Sequence, residues 1–284
     1  MALIVNTNIA SLTAQNNLST NQTSLQTTLQ RLSSGLRVNS AKDDAAGLAV
    51  AEAFTSQIRG NTQAVRNAND GISLGQTAES ALASIAGNLQ RVREIAVQAA
   101  NGTISNTNRS QLQQEVDQLT QEVSRIVQTT TFNGTSLLSG ASSLTFQVGA
   151  DGNATNQVSI STTNLATAGS AGLFAYSASL SATGTVNVTT SGGASAALAS
   201  LDSDISRVSS TRSTFGAVQN RFEAVIANLQ SYVTNLSASR SRILDADFAA
   251  ETANLTRSQI LQQAGTAVLS QANALPQSAL TLLR

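Results

Sequence analysis

Between Leu198 and Leu236 the large apolar residues fall at Leu198, Leu201, Ile205, Val208, Phe215, Val218, Phe222, Val225, Leu229, Tyr232 and Leu236. Apart from one skipped turn, where Arg212 stands, the steps are threes and fours. That is the repeat of a helix presenting one narrow apolar seam. No proline interrupts the stretch and Gly216 is its only glycine. At ~1.5 Å per residue the predicted helix is roughly 58 Å long. No short neighbour covers such a seam. It requires long helices laid alongside, and that demand governs how the rest of the 284-residue chain can fold.

The first half of the chain supplies them. Phe54, Ile58, Val65, Ala68 and Ile72 lead into Leu82, Ile85, Leu89, Val92, Ala96 and Ala99, and Asn101-Gly102 ends the run. Ser40 or Asp43 would cap this helix at its start. Gly60, Gly71, Gly75 and Gly87 leave two readings, close-packing sites in one helix or a break near Gly71–Gly75. A second partner runs Leu112, Val116, Leu119, Val123 and Ile126, with Ser110 as its expected N-cap and Phe132-Asn133-Gly134 as its stop.

From 135 to 197 the pattern changes. Leu144, Phe146 and Val148 alternate with polar residues, as do Val158 and Ile160, with Asp151-Gly152 between them, and this predicts a β-hairpin. Val186 and Val188 suggest a further short strand. The remainder is Gly, Ser, Thr and Ala and is read as a small surface insertion.

The two ends resemble each other. Leu18, Leu25, Leu29, Leu32 and Leu36 form one seam, and Leu261, Ala264, Val268, Ala272 and Leu275 form another, both on Ser/Thr/Asn/Gln-rich backgrounds. Pro276, the only proline, is expected to close the last helix. So few apolar groups do not offset the entropy of ordering such segments. Alone they should be coil, becoming helical when something buries the seam. The fold expected is mainly α, a rod of long antiparallel heptad helices with its ends paired, a small central β-hairpin and no large outer domain. The expected division is 1–41 plus 245–284 as a terminal coiled coil, disordered in the monomer. Residues 42–172 plus 198–244 form a helical core and 173–197 a short variable insertion.

Chemistry is scarce. The chain has no Cys and no His, which removes disulfides, thiol chemistry and the commonest general base and metal ligand. Lys42 is the sole lysine, and no phosphate-cradling or metal-binding motif occurs. The pairs Asp43-Asp44, Asp202/Asp204 and Asp245/Asp247 lie near predicted helix starts and read as caps. No enzymatic activity and no cofactor are expected. With zero net charge and no basic stripe, nucleic acid is a poor partner. No run approaches the ~20 apolar residues that span a bilayer, and MALIVNTNIASLTAQ lacks the marks of a signal peptide. Arg91, Arg93, Glu94 and Glu115 form the densest charged surface of the core. It reads either as a solvated face of ordinary ion pairs or as a contact surface.

Several long stretches then resemble the bacterial flagellins. These are MALIVNTNIASLTAQNNL, LQRLSSGLRVNSAKDDAAGLA at 29–49, LQRVREIAVQAANGT at 89–103 and TTFNGTSLLSG at 130–140. FGAVQNRFEAVIANL at 215–229, SRSRILDADFAAETANLTRSQILQQAG at 239–265 and the terminal ALPQSALTLLR continue the series. The resemblance implies an extracellular subunit of the flagellar filament that self-assembles into a helical homopolymer for motility. It also implies export through the flagellar type III apparatus, a flagellin chaperone on the C-terminal segment, and contacts with filament cap and hook-junction proteins. In flagellins detected by the host Toll-like receptor 5, the recognised surface maps onto Gln90, Arg91, Val92, Arg93, Glu94 and Glu115. A leucine of that surface corresponds to Ile95 here, a mild departure. The rival readings are a hook–filament junction protein, which shares the terminal pattern, and a soluble coiled-coil adaptor with ordered ends.

Overall fold

The seam at 198–236 lies within a longer helix, α4 (Ser191–Leu244). The computed structural model describes residues 7–167, 172–180 and 183–281, with side chains as far as residue 274 in the last stretch. The other helices are α1 (Ile9–Ser34), α2 (Ala45–Ala100), α3 (Asn106–Thr129) and α5 (Phe248–Thr281). Two antiparallel ladders stand between α3 and α4: β1 (Thr131–Phe132) with β2 (Thr135–Ser136), and β3 (Ser143–Gln147) with β4 (Gln157–Ser161). The chain is mainly α, built from long antiparallel helices and two small hairpins. It divides into two compact units, 59–233 and 1–58 with 234–284.

In the unit 59–233, α2 and α4 run antiparallel. Arg212 pairs with Glu79 at 2.7 Å, Arg93 with Asp202 at 2.5 Å, and Ser191 Oγ donates to the Ala100 carbonyl at 2.7 Å. The apolar seams meet in one core containing Leu82, Ile85, Leu89, Val92, Val116, Val123, Leu201, Val208, Phe215 and Phe222. The larger hairpin forms as expected, and its register sets Leu144 opposite Ile160 and Phe146 opposite Val158. Its Phe146 meets Phe222 edge-on, with ring centroids 5.5 Å apart.

Helix α2 is unbroken through Gly71–Gly75. A Cβ at Gly71 would lie 2.6 Å from the Phe222 ring, one at Gly75 3.0 Å from Gln219, and one at Gly60 2.8 Å from Ala150. These three are close-packing sites. Gly87 is not, because a Cβ there meets nothing within 4 Å. Asn133 (φ 47°) and Gly134 (φ 77°) do more than stop α3. Both adopt positive φ in the two-residue turn of the β1–β2 hairpin, the geometry Asn-Gly favours.

Three expected helix caps are corrected. The N-cap of α3 is Ser105, whose side chain accepts from Asn108 N–H at 3.2 Å, while Ser110 sits inside the helix and donates to Asn106 O. The polar first turn of α3 precedes its apolar seam, so the seam dates the helix too late. Asp44 caps α2 by accepting from Gly47 N–H at 2.8 Å; Asp43 instead closes the preceding turn on Asn39 and Ser40. Asp204 caps no helix start but lies buried mid-helix, accepting from Phe174 N–H (2.8 Å) and Ala175 N–H (2.9 Å).

The segment 173–197 also differs from its reading. Leu173, Ala175, Tyr176, Val186, Val188 and Ala194 are all buried in the core. Residues 186–188 form no strand. The Gln113 side-chain amide stands where a partner strand would, donating to Val186 O at 2.8 Å and accepting from Val188 N–H at 2.7 Å. Asp117 holds Gly184 N–H and Ser124 holds Ser177 N–H, so polar side chains of α3 strap this segment down. Composition gave no sign of it, because the strap is made through the backbone.

In the other unit, α1 ends at Gly35 in the left-handed region (φ 70°), whose N–H bonds Arg31 O. Its chain then meets the α4–α5 connection, where Arg37 N–H donates to Leu244 O and Ala246 N–H to Gly35 O. Asp247 caps α5 by accepting from Ala249 and Ala250 N–H, as read. Pro276 does not close α5, which continues to Thr281. A proline removes one intrahelical bond, and a helix tolerates that loss where the freed carbonyl finds another donor.

Candidate assembly and recognition surfaces

Helices α1 and α5 pack antiparallel. Asn21 Nδ2 donates to Ser258 O at 2.8 Å, Arg31 pairs with Glu251 at 3.1 Å, and Ser11 Oγ donates to Asn273 Oδ1 at 2.8 Å. The α1 face turned inward carries Ser11, Ala14, Leu18, Asn21, Leu25, Thr28 and Leu32. The α5 face answers with Glu251, Leu255, Ser258, Gln262, Gly265, Leu269 and Ala272. Both follow the three–four alternation of a coiled-coil seam. Much of it is small or polar, which is why counting large apolar residues finds only part of it. Admitting small and polar residues, Asn21, Glu251 and Gln262 among them, into the heptad recovers the rest.

The sequence-read seam residues are therefore not brought together in one intrachain interface. Leu18, Leu25, Leu32 and Leu36 are half-buried and Ala272 is buried. Leu29 is 47% exposed, Leu261 52% and Val268 58%, and Ala264 is exposed with them. The Leu275 side chain lies outside the described residues. On α5, Ile260, Leu261, Ala264 and Val268 share one outward stripe at helical spacing, and Ile9 and Leu12 add exposed apolar area on α1. The terminal pair thus turns a mixed, partly polar face inward and an apolar face outward. Single exposed leucines are ordinary on protein surfaces, whereas an aligned stripe marks a contact face.

The charged face belongs to the other unit. Gln90, Arg91, Arg93 and Glu94 are exposed along α2, and Glu115 faces them from α3. Arg91 bonds Glu115 at 2.8 Å and Glu94 at 3.1 Å. Arg93 takes a different direction, bridging to Asp202 on α4. The hydrogen bond from Arg93, then its charge, holds the Asp202 carboxyl below its usual range. Glu115, then Glu94, raises the pKa of Arg91. These are exposed pairs that fix side-chain directions more than they stabilise the fold. Asp202 was read as a cap. Only the antiparallel register of α2 and α4 reveals it as part of this surface. Ile95 is fully buried and offers nothing to a partner, so the departure from leucine there acts through core packing alone.

Among the described residues no group of three acidic, His or Cys side chains could hold a metal ion, and no helix is long and apolar enough to cross a membrane.

Residues 5–143 match the family model of the bacterial flagellin N-terminal helical region, and residues 198–283 that of the C-terminal helical region. Similar proteins include phase 1 flagellin of Salmonella naestved, 52% identical over 160 residues, which are 56% of this chain and 32% of the relative. Flagellin of Salmonella muenchen is 53% identical over the same shares. The chain thus spans 32% of the length of the curated relatives it matches. A solved flagellin of Bacillus cereus is 28% identical, covering 62% of this chain and 94% of that one, at a TM-score of 0.47.

Proposed function

This chain belongs to the bacterial flagellin family, and from that premise we propose that it is a structural subunit that polymerises into the extracellular flagellar filament for motility. The observation that carries this reading is the outward apolar stripe of Leu261, Ala264 and Val268, with Leu29 on α1, against the partly polar seam between α1 and α5. Such a pair is poorly stabilised by its own contacts and offers its best apolar surface to a neighbour. Ordering of the ends, 1–41 and 245–284, is coupled to polymerisation. Repetition of a heterologous contact between copies builds an open helix in place of a closed ring. Export through the flagellar type III apparatus, with a chaperone on the C-terminal segment, fits the same marginal ends, and the filament cap and hook-junction proteins are its neighbours in the assembled organelle.

The test adds filament seeds to the full chain, to a 41–244 fragment, and to Leu29→Asp and Leu261→Asp. The full chain should elongate seeds by sedimentation and electron microscopy while the other three stay soluble with a folded central unit. Normal filaments from both substitutions would sink the coupling. A full chain that adds only a few copies to a seed favours the hook–filament junction reading.

A second reading concerns the monomer. Gln90, Arg91, Arg93, Glu94 and Glu115 form the surface bound by the host's Toll-like receptor 5. Its support is the exposure of all five and the coupling of Arg91 to Glu115 across two helices. Signalling by an Arg91→Ala monomer tests it.

A further inference from the structure

The single proline of the chain and the cap of its first helix meet at one atom. In α5, which is helical to Thr281, the carbonyl of Ala272 would take the N–H of residue 276. Residue 276 is the proline, which has no N–H to give. Ala272 is 5% exposed, so its carbonyl sits where water is scarce and an unmade hydrogen bond is costly. The missing donor comes from the other end of the sequence: Asn8 Nδ2 donates to Ala272 O at 2.8 Å. The same side chain caps α1, its Oδ1 accepting from Ser11 N–H at 3.1 Å. Both halves of the Asn8 amide are thereby used. Beside this bond, three residues beyond Asn8 and one beyond Ala272, Ser11 Oγ donates to Asn273 Oδ1.

We infer that Asn8 and Pro276 are the specificity-determining pair that fixes the register of α5 on α1. The inference rests on the reading that the chain ends pair during assembly and adds what selects the alignment. The three–four alternation by itself repeats every heptad. Arg31 on Glu251 and Asn21 on Ser258 O favour the observed alignment over the rest of the pair, and the orphaned carbonyl of Ala272 marks it at the end where the chain termini meet. Ahead of its last turn, α5 loses the intrahelical donor to Ala272 O because residue 276 is proline, and a capping side chain with both an acceptor and an amide donor completes that carbonyl. Ser, Thr and Asp cap a helix comparably well, yet none carries a second arm with an N–H. This is the use of a lone buried polar contact to specify register that coiled coils make with asparagine.

The chain has no cysteine, so spin labels can be placed at exposed Ser19 and Gln263 as the only two thiols. Labelled full-length chain is diluted into unlabelled chain, added to filament seeds, and its intrachain label distance is measured by pulsed electron resonance. Asn8→Ser keeps a capping oxygen and loses the reach to Ala272. Pro276→Ala restores the amide and removes the need for Asn8. The parent should give one distance. Asn8→Ser should raise the out-of-register share about tenfold, displaced by one heptad, ~10 Å, and adding Pro276→Ala should bring that share back. An unchanged distribution in Asn8→Ser, or an equal shift with and without Pro276, overturns the inference. A chain that ignores the seeds but shows one sharp distance when free defeats the assembly reading and leaves the register pair standing. A broad distance in both states overturns the register pair itself.

Discussion

The two compact units use the same heptad geometry with different contents. Between 59 and 233 the seam positions are filled by Leu, Ile, Val and Phe, and residues such as Leu82, Ile85, Leu89 and Phe222 are wholly buried. In the terminal unit the buried positions of α1 and α5 carry Ser11, Ala14, Thr28, Glu251, Ser258 and Ala272. Leu18, Leu25, Leu32, Leu255 and Leu269 are only half-buried between them, and Ile260, Leu261 and Val268 point outward. Since stability follows apolar area removed from water, the first unit draws far more on its own core than the second does. Identical periodicity therefore does not mean identical autonomy. What occupies the seam decides.

Truncations in the two units probe this contrast most strongly. Phe222→Ala empties a site enclosed by Phe146 and Gly71, so urea unfolding of the full-length monomer should lose ~3–5 kcal/mol. Leu261→Ala should cost under ~0.5 kcal/mol in the same measurement, because the side chain is exposed. Comparable losses from the two would remove the distinction.

A smaller effect sharpens the picture of the central core. Asp204 has a pKa raised by burial, which outweighs the opposing bonds from Phe174 and Ala175 N–H and the charge of Arg207. A carboxyl held above its unfolded value binds its proton more tightly in the folded state. Its contribution to stability therefore grows as pH falls through the raised value toward 3.8 and is flat below. The exposed Asp43, Asp202 and Glu122, all lowered, act in the opposite sense at lower pH. Asp204→Asn should cost ~1–3 kcal/mol near neutral pH by replacing an acceptor with a donor opposite a backbone N–H. It should also abolish the gain that the parent shows as pH falls toward 3.8. A urea-midpoint profile parallel to that of the parent would contradict this.

Smallest in stability is Arg91→Ala, whose exposed pairs with Glu94 and Glu115 should leave the unfolding midpoint unmoved. Toll-like receptor 5 signalling by the monomer should nonetheless fall at least about tenfold, as truncation of an interface arginine does. Undiminished signalling would return this face to ordinary solvated ion pairs.

Local features were legible where one side chain type states its own role. The three–four runs at 82–99 and 112–126, the hairpin about Asp151-Gly152, the stop at Asn101-Gly102 and the Asp247 cap all stand in the structure. The misreadings have two causes. Ser110 mistakes where α3 starts, because the polar first turn capped by Ser105 precedes the apolar seam. Val186–Val188 and Pro276 depend on distant donors or acceptors: Gln113 for 186–188 and Asn8 for the carbonyl that Pro276 leaves free. The terminal seams were half legible, since Leu18, Leu25 and Leu32 face inward but their polar partners were not counted.

By itself the sequence determined that this chain would be long helices in narrow contact, because apolar periodicity is a property of one strand of text and each helix can satisfy its own backbone bonds. Only the tertiary structure decided which face of each helix turns inward, that Asp202 joins Arg93, and that Ser177, Gly184, Val186 and Val188 are strapped to α3. Those choices depend on the register between helices distant in sequence, and register is set by pairwise contacts that no single segment contains.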